Sequence, residues 1–331
     1  MLGQLQVLSA QSTGIPSFVY HRFGEAAYPS TNIALDTFAA HLSYLQQQQI
    51  ETVTLSEALQ RLKDGTSKVR QAVALTIDDG YRSVYTKAFP LLQQYGFTAT
   101  LFIATQQVGK GHQVTWAEIR ELEKAGWEIG LHSHSHAYFL NQPKEQQIAY
   151  FEQDLRQAIQ AYTAHLGHAP THYAYPYGEY DPSYTAILRK YGIHAAAAQH
   201  SGVLSAYSPR FALPRFPMNE RFGTTSAFRL KANTQPLPVS QLDYHGPVVQ
   251  QQPPDITIQL DSAMAQIDRL NCFWNGQAMC TAHQDEEDAY TYHITIAGTI
   301  QGRRNKVTLT APGPEPDQWY WYSVPVFSPK Q

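Results

Sequence analysis

The 331-residue chain has no surplus of positive charge: 24 Lys and Arg stand against 27 Asp and Glu, a net charge of -3. Proteins that grip phosphate do so with clustered cations, so nucleic acid is not an expected partner. No apolar run approaches the ~20 residues of a spanning helix, and no transmembrane segment is expected. The opening MLGQLQVLSAQSTG has neither the basic n-region nor the apolar h-region of a secretory leader. The chain therefore reads as cytoplasmic, or as one whose leader was removed. No repeat of solenoid or propeller period is visible. Cysteine is scarce, with only Cys272 and Cys280 flanking Trp274-Asn275-Gly276. Asn-Gly is a strong two-residue hairpin signal, and a hairpin there would bring the flanking strands together. A disulfide, implying an oxidising compartment, and two free thiols are both open readings.

What is present points to a folded enzyme-sized protein. The hydrophobic fraction of 43% supports a core, and the length allows one large unit with a smaller companion. Aromatic residues make up 12%, including 21 Tyr and 5 Trp, which suits sugar-stacking surfaces or simply β-rich cores. From about Ile15 to Met218, β-like runs alternate with amphipathic helices. Strands are expected at Ser17–Tyr20, Ala72–Ile77, Thr98–Ala104, Trp127–Leu131, His172–Tyr175, His194–Gln199 and Arg210–Phe216. Helices are expected from Asp36, from the capping-box spacings at Thr54 and Thr115, over Arg82–Tyr95 with a bend at Pro90, and over Lys144–Leu166. This alternation implies a parallel sheet, open or closed into a barrel. After a Pro/Gln/Ser-rich stretch at Asn233–Pro254, short alternating strands suggest a β-sandwich. The expected division is thus 1–232 and 233–331. Within the second part, Trp319-Tyr320-Trp321-Tyr322 would place two indoles on one sheet face, as a sugar platform or as core filling.

Two strand ends carry the chemistry. Ala72–Ile77 delivers Asp78-Asp79-Gly80, where adjacent carboxylates raise each other's pKa unless a cation relieves them. Trp127–Leu131 delivers His132-Ser133-His134-Ser135-His136. Imidazoles with a carboxylate make a metal site that keeps positions open for water and substrate. An extended segment would put His132, His134 and His136 on one face, so more than one ligand pair is compatible with the spacing.

These residues resemble the NodB-type polysaccharide deacetylases, carbohydrate esterase family 4. Thr76-Ile77-Asp78-Asp79-Gly80 and the run on to Phe102 resemble the family's first motif, His132 to His136 the second, and Tyr175-Pro176-Tyr177-Gly178 most of the third. The likeness spans about Pro16 to Met218. It implies an α/β fold, a distorted (β/α) barrel of fewer than eight complete units. It also implies Asp79, His132 and His136 as metal ligands, Asp78 as the general base acting on metal-held water, and the Pro176–Tyr177 turn as the oxyanion site, through the Tyr177 backbone N–H.

Two departures stand out. Ala174 occupies the place of the arginine that ordinarily tethers the base, and no late Leu-x-His motif supplies a general acid. Both resemble the branch that deacetylates poly-β-1,6-N-acetylglucosamine in biofilms, where a first-strand histidine in a Tyr-His context serves, as in Tyr20-His21-Arg22. His21 is thus the candidate acid, and Arg215 the candidate tether for Asp78. The expected activity is metal-dependent hydrolysis of N-acetyl groups from a polysaccharide or oligosaccharide containing N-acetylglucosamine. The expected cofactor is a divalent metal, Zn first, with Co, Ni or Fe also compatible. By the family likeness the expected location is periplasmic or extracellular. Alternatives are an acetyl esterase on a xylan-like polymer, a small-molecule amidohydrolase, and a non-catalytic carbohydrate-binding protein. Oligomeric state leaves no trace in the sequence.

Overall fold

The computed structural model of the protein describes residues 14–65, 71–261, 267, 269–313 and 318–329. Its larger sheet runs Val203–Leu204, Ile15–Tyr20, Ala72–Ile77, Thr100–Ile103, Glu128–Leu131, His172–Ala174 and Ala195–Ala197, with Glu51–Val53 and Phe216–Pro217 joined to it. Apart from Val203–Leu204, every pairing in it is parallel. A parallel bridge between Ala197 and Leu213, and the pairing of Phe216 with Phe18, curl the far edge back toward the first strand. The result is a distorted barrel with helices outside.

The strand sequences explain the two-sided burial. In Ala72–Ile77 every residue is buried, but alternate side chains enter different cores. Val73, Leu75 and Ile77 join the outer core under the helices, whereas Ala72 and Ala74 face an inner core with Phe102, Ala174 and Ala197. Helix Leu55–Asp64 contributes Leu55, Ala58, Leu59 and Leu62 to that inner core. Its Thr54 cap accepts a hydrogen bond from the Glu57 N–H, and Gly65 closes it in the left-handed conformation. Helix Lys144–Leu166 follows the expected bounds and buries Phe151, Leu155 and Tyr162.

Beyond the barrel, two four-stranded sheets share one core centred on Trp274, Val307, Leu309 and Val324. They make the all-β sandwich. It is docked against the barrel: Trp321 packs edge-on to Phe216 at 5.4 Å and its Nε1 lies 3.2 Å from Ser201 Oγ. Tyr320 and Tyr322 turn into the sandwich core. Trp321 thus seals a junction rather than presenting a free platform.

Three expectations change. Arg210–Phe216 is not a continuous strand, because Pro209 and Pro214 lack ladder N–H groups; it is reduced to the isolated bridge at Leu213 and the short pairing of Phe216–Pro217. The segment before Pro90 is a π-helical turn, Val84–Ala88, followed by helix Phe89–Tyr95. Asn275 and Gly276 do form a tight turn at φ 51° and 82°. Yet Asn271–Trp274 pairs with Arg304–Pro312, while Cys280–Gln284 pairs with Thr291–Ile296. The Cys272–Cys280 disulfide therefore staples two sheets rather than two strands of one hairpin.

Candidate active site

Parallel strands bring their carboxyl ends to one rim, the position where α/β folds assemble reactive groups. Here the rim collects His21 after Tyr20, Asp78 after Ile77, His132 after Leu131 and the Tyr175–Gly178 turn after Ala174. The Asp78 N–H donates to Tyr20 O at 2.9 Å, tying the first two ends together.

Asp78 is wholly buried, and so is its partner Arg215. Arg215 Nη1 and Nη2 donate to Asp78 Oδ1 and Oδ2 at 2.7 and 2.8 Å, a bidentate pair. Nε donates to Ala198 O and Nη1 also to Thr76 Oγ1. The guanidinium lies 5.6 Å from the ring of Phe102, a residue of the alanine-rich inner core. Small side chains there make room for an arginine arriving from a different segment than position 174. Burial pushes the Asp78 carboxyl up, but the charges of Arg215 and His132 outweigh it and leave its pKa below the ordinary value.

Asp79 and Gly80 follow in left-handed conformations, φ 71° and 72°. For Asp79 that is a strained geometry, stored where it aims a carboxylate. Its Oδ1 lies 3.3 Å from His132 Nε2 and 3.1 Å from His136 Nε2. One donor atom from each of the three falls within 4.8 Å of the others. That buried Oδ1 has no well-formed hydrogen bond, which is the condition of an oxygen available to a cation. His132 points its other nitrogen, Nδ1, at Ala174 O at 2.8 Å, which fixes the ring and leaves Nε2 to face Asp79. The residues present therefore fit a divalent ion held by one carboxylate and two imidazoles. Burial raises the Asp79 carboxyl, yet the close approach of the His132 and His136 imidazoles holds it well below the usual range.

The segment between the histidines is not extended. Ser133 and His136 take φ 69° and 57°, and the Ser133 hydroxyl accepts from the His136 N–H. His134 turns away to Thr105 Oγ1 at 2.9 Å. Asp154 organises this loop by accepting from the His134 and Ser135 N–H groups at 2.7 and 2.9 Å. Sequence reading passed over Asp154, although a carboxylate between Phe151 and Leu155 on the buried face of a helix was a detectable signal.

Pro176-Tyr177-Gly178 makes a single 3-10 turn with Tyr177 at φ 60°, ψ 4°. A Cβ on Gly178 would lie 2.5 Å from Gln199 Cβ, so this close approach requires glycine. Gln199 Nε2 in turn donates to Asp78 Oδ2 at 3.3 Å and lies 3.5 Å from His21 Nε2. His21 thus borders the same centre. Burial lowers its pKa, opposed by Asp79 and Asp78. The Tyr177 ring stacks on Tyr138 at 3.6 Å and stands edge-on to His136 at 4.7 Å.

The sandwich also reaches this rim. Arg303 pairs with the buried Glu179 at 2.6 Å and lies 4.3 Å from the Tyr138 ring, while Arg304 Nη1 donates to Tyr177 O at 3.2 Å. Neither arginine, nor Gln199, carried a sequence signal, because each acts across a tertiary contact.

Residues 65–196 match the family model of the polysaccharide deacetylases. A poly-β-1,6-N-acetyl-D-glucosamine N-deacetylase of Staphylococcus aureus (strain MRSA252) is 23% identical over 214 residues, 62% of this chain and 73% of that protein. Among solved structures, IcaB from Ammonifex degensii is similar with a TM-score of 0.58 at 27% identity, covering 66% of this chain and 97% of that one. The Streptococcus pyogenes deacetylase PplD in complex with acetate shares the fold with a TM-score of 0.61 at 19% identity, covering 67% and 99%.

Proposed function

The chain carries a polysaccharide deacetylase domain and is a hydrolase of the carbohydrate N-deacetylase type, and from that premise we propose that it removes acetyl groups from a polymer of N-acetylglucosamine in a metal-dependent reaction. Asp79, His132 and His136 would hold the ion. Bound there, a divalent ion would polarise the acetyl carbonyl and acidify water. The observation that carries the reading is the approach of these three side chains beside a buried carboxylate clamped by Arg215.

Asp78, kept ionised by Arg215, takes a proton from the attacking water. The water oxygen bonds to the acetyl carbon and the C–N bond breaks. His21, which borders Asp78 through Gln199, gives a proton to the departing nitrogen, so acetate and a sugar amine leave. The Tyr177 N–H, turned by Pro176 and the left-handed Tyr177 backbone, meets charge developing on the carbonyl oxygen. The similarity to a poly-β-1,6-N-acetyl-D-glucosamine N-deacetylase favours the β-1,6 polymer as substrate. The Cys272–Cys280 disulfide favours a place outside the cytosol.

The test is acetate release from acetylated β-1,6- and β-1,4-glucosamine oligomers by metal-stripped and zinc- or cobalt-restored protein. Release that returns with metal, and is lost in Asp78→Asn with metal content retained, is the expected result. Full turnover by stripped protein, or an active Asp78→Asn variant, would overturn it.

A further inference from the structure

Beside Asp78, the barrel rim and the sandwich enclose a recess of about 390 Å³, within the rough 300–1,000 Å³ range of small-molecule sites. Tyr177 and Gln199 line it from the barrel, and Gln301, Arg304, Asn305 and Lys306 from the sandwich. It adjoins the candidate centre through two contacts. Gln199 touches Asp78, and Arg304 is bonded to the carbonyl of Tyr177, whose ring meets His136.

Its charge is one-sided. No carboxylate lines the recess among the described residues. Arg304 and Lys306 form no ion pair among those residues; Arg304 spends one donor on Tyr177 O, and Lys306 Nζ one on Ser201 Oγ at 3.0 Å. Of the negative groups bordering it, Asp78 is already matched by Arg215 and Glu179 by Arg303. Asn275 and Asn305 bond each other and the neighbouring backbone, so they form the floor rather than the binding face. The remaining donors of Arg304 and Lys306 therefore point to a ligand that offers acceptors. Burial lowers the Lys306 pKa to about 8, which still leaves it mainly protonated at neutral pH. Holding the Lys306 ammonium partly out of water without a counter-ion is costly unless a ligand supplies acceptor oxygens, and the exposed Arg304 beside it adds a second cation to the same mouth.

We propose that this recess binds the sugar adjacent to the one losing its acetyl group, accepting N-acetylglucosamine there and rejecting glucosamine. The inference rests on the proposed action on an N-acetylglucosamine polymer. Hydroxyl and acetamido oxygens satisfy the free donors of Arg304 and Lys306. A unit already deacetylated presents an ammonium group to two cations and is repelled. The enzyme then leaves its product amines spaced along the polymer instead of in blocks.

The test uses acetylated glucosamine tetramers, uniform or with a single free amine at each position, and reads kcat/KM for acetate release with the deacetylated positions mapped by mass spectrometry. Wild-type protein is expected to disfavour an amine in one neighbouring position by about tenfold or more, the scale of one like-charge contact. Arg304→Gln, at an exposed position, and Lys306→Gln are each expected to shrink that ratio, which cancels any general loss of rate or folded fraction. Turnover without discrimination, or discrimination unchanged in both variants, overturns the subsite. Calorimetric binding to the Asp78→Asn protein separates the two proposals. Preference for acetylated over amine tetramer, lost in Arg304→Gln, supports the recess even if no turnover is found; equal binding of both tetramers overturns it.

Discussion

Arg215 and Asp78 lie 137 residues apart in sequence and meet as a bidentate ion pair inside the barrel, both with no solvent exposure. The pair does two things. It compensates a carboxylate that burial would otherwise neutralise, and it fixes the orientation of both oxygens.

Replacing Arg215 with Met leaves that carboxylate buried and alone. Stability is expected to fall by about 3–5 kcal/mol, the scale for breaking a buried pair from one side. The sign for activity follows from the direction of the shift. Arg215 lowers the Asp78 pKa, so its removal raises it, and the acid limb of the kcat/KM profile moves to higher pH. Arg215→Lys keeps the charge without the fork and is expected to move the limb less. Denaturant melts and pH–rate profiles of both variants check this.

His21→Ala separates proton donation from structural support. With an N-acetyl sugar, whose amine leaves poorly, kcat/KM is expected to drop by about 10²–10⁴-fold. With p-nitrophenyl acetate, whose leaving group needs no proton, the loss is expected to stay below about tenfold. Equal losses on both substrates would remove His21 from the acid role.

At the opposite end of the barrel, Glu128 accepts hydrogen bonds from Ser56 N and Thr100 Oγ1 at 3.0 Å and lies 2.9 Å from His172 Nδ1. Burial raises its pKa, but the His172 contact and Ser56 outweigh this and bring it from 4.5 to about 2. A depressed carboxyl stabilises the fold above its unfolded pKa, and that contribution fades as pH falls from about 4.5 toward 2. Glu128→Gln is expected to cost about 1–3 kcal/mol at neutral pH, with the gap to wild type closing in that acid window. Urea melts at a series of pH values measure it.

The disulfide closes a short loop, its cysteines eight positions apart. Chain-entropy arguments assign such a link about 2–3 kcal/mol. Cys272→Ala/Cys280→Ala is expected to lower the melting temperature, and wild type to match it once a reductant is added. The double variant itself is expected to ignore the reductant.

Local pattern made much of this protein legible. Alternating strands and helices, capped at Thr54 and Thr115, imply a parallel α/β barrel, and Asp78-Asp79 and His132 to His136 follow directly on the strands that present them. Those strand ends meet because parallel strands share a rim, a consequence of backbone geometry that sequence periodicity already encodes. Where prolines interrupt the ladder, between Arg210 and Phe216, the same reasoning fails, since pairing there depends on the curled edge rather than on side-chain alternation.

The tertiary structure alone decided the rest. His134 and His136 are equivalent by spacing, and within the sequence only the family likeness favours His136. Only the left-handed turns at Ser133 and His136, tied down by Asp154, send one toward Asp79 and the other to Thr105. Arg303, Arg304 and Lys306 gain their meaning from the docking of the sandwich onto the barrel, and Gln199 from the closure of the barrel on itself. No short-range period records such contacts, because they join segments whose proximity is set by how the two cores close. The sequence by itself determined which groups stand at the strand ends; the packing of one core against another determined which of them face one another.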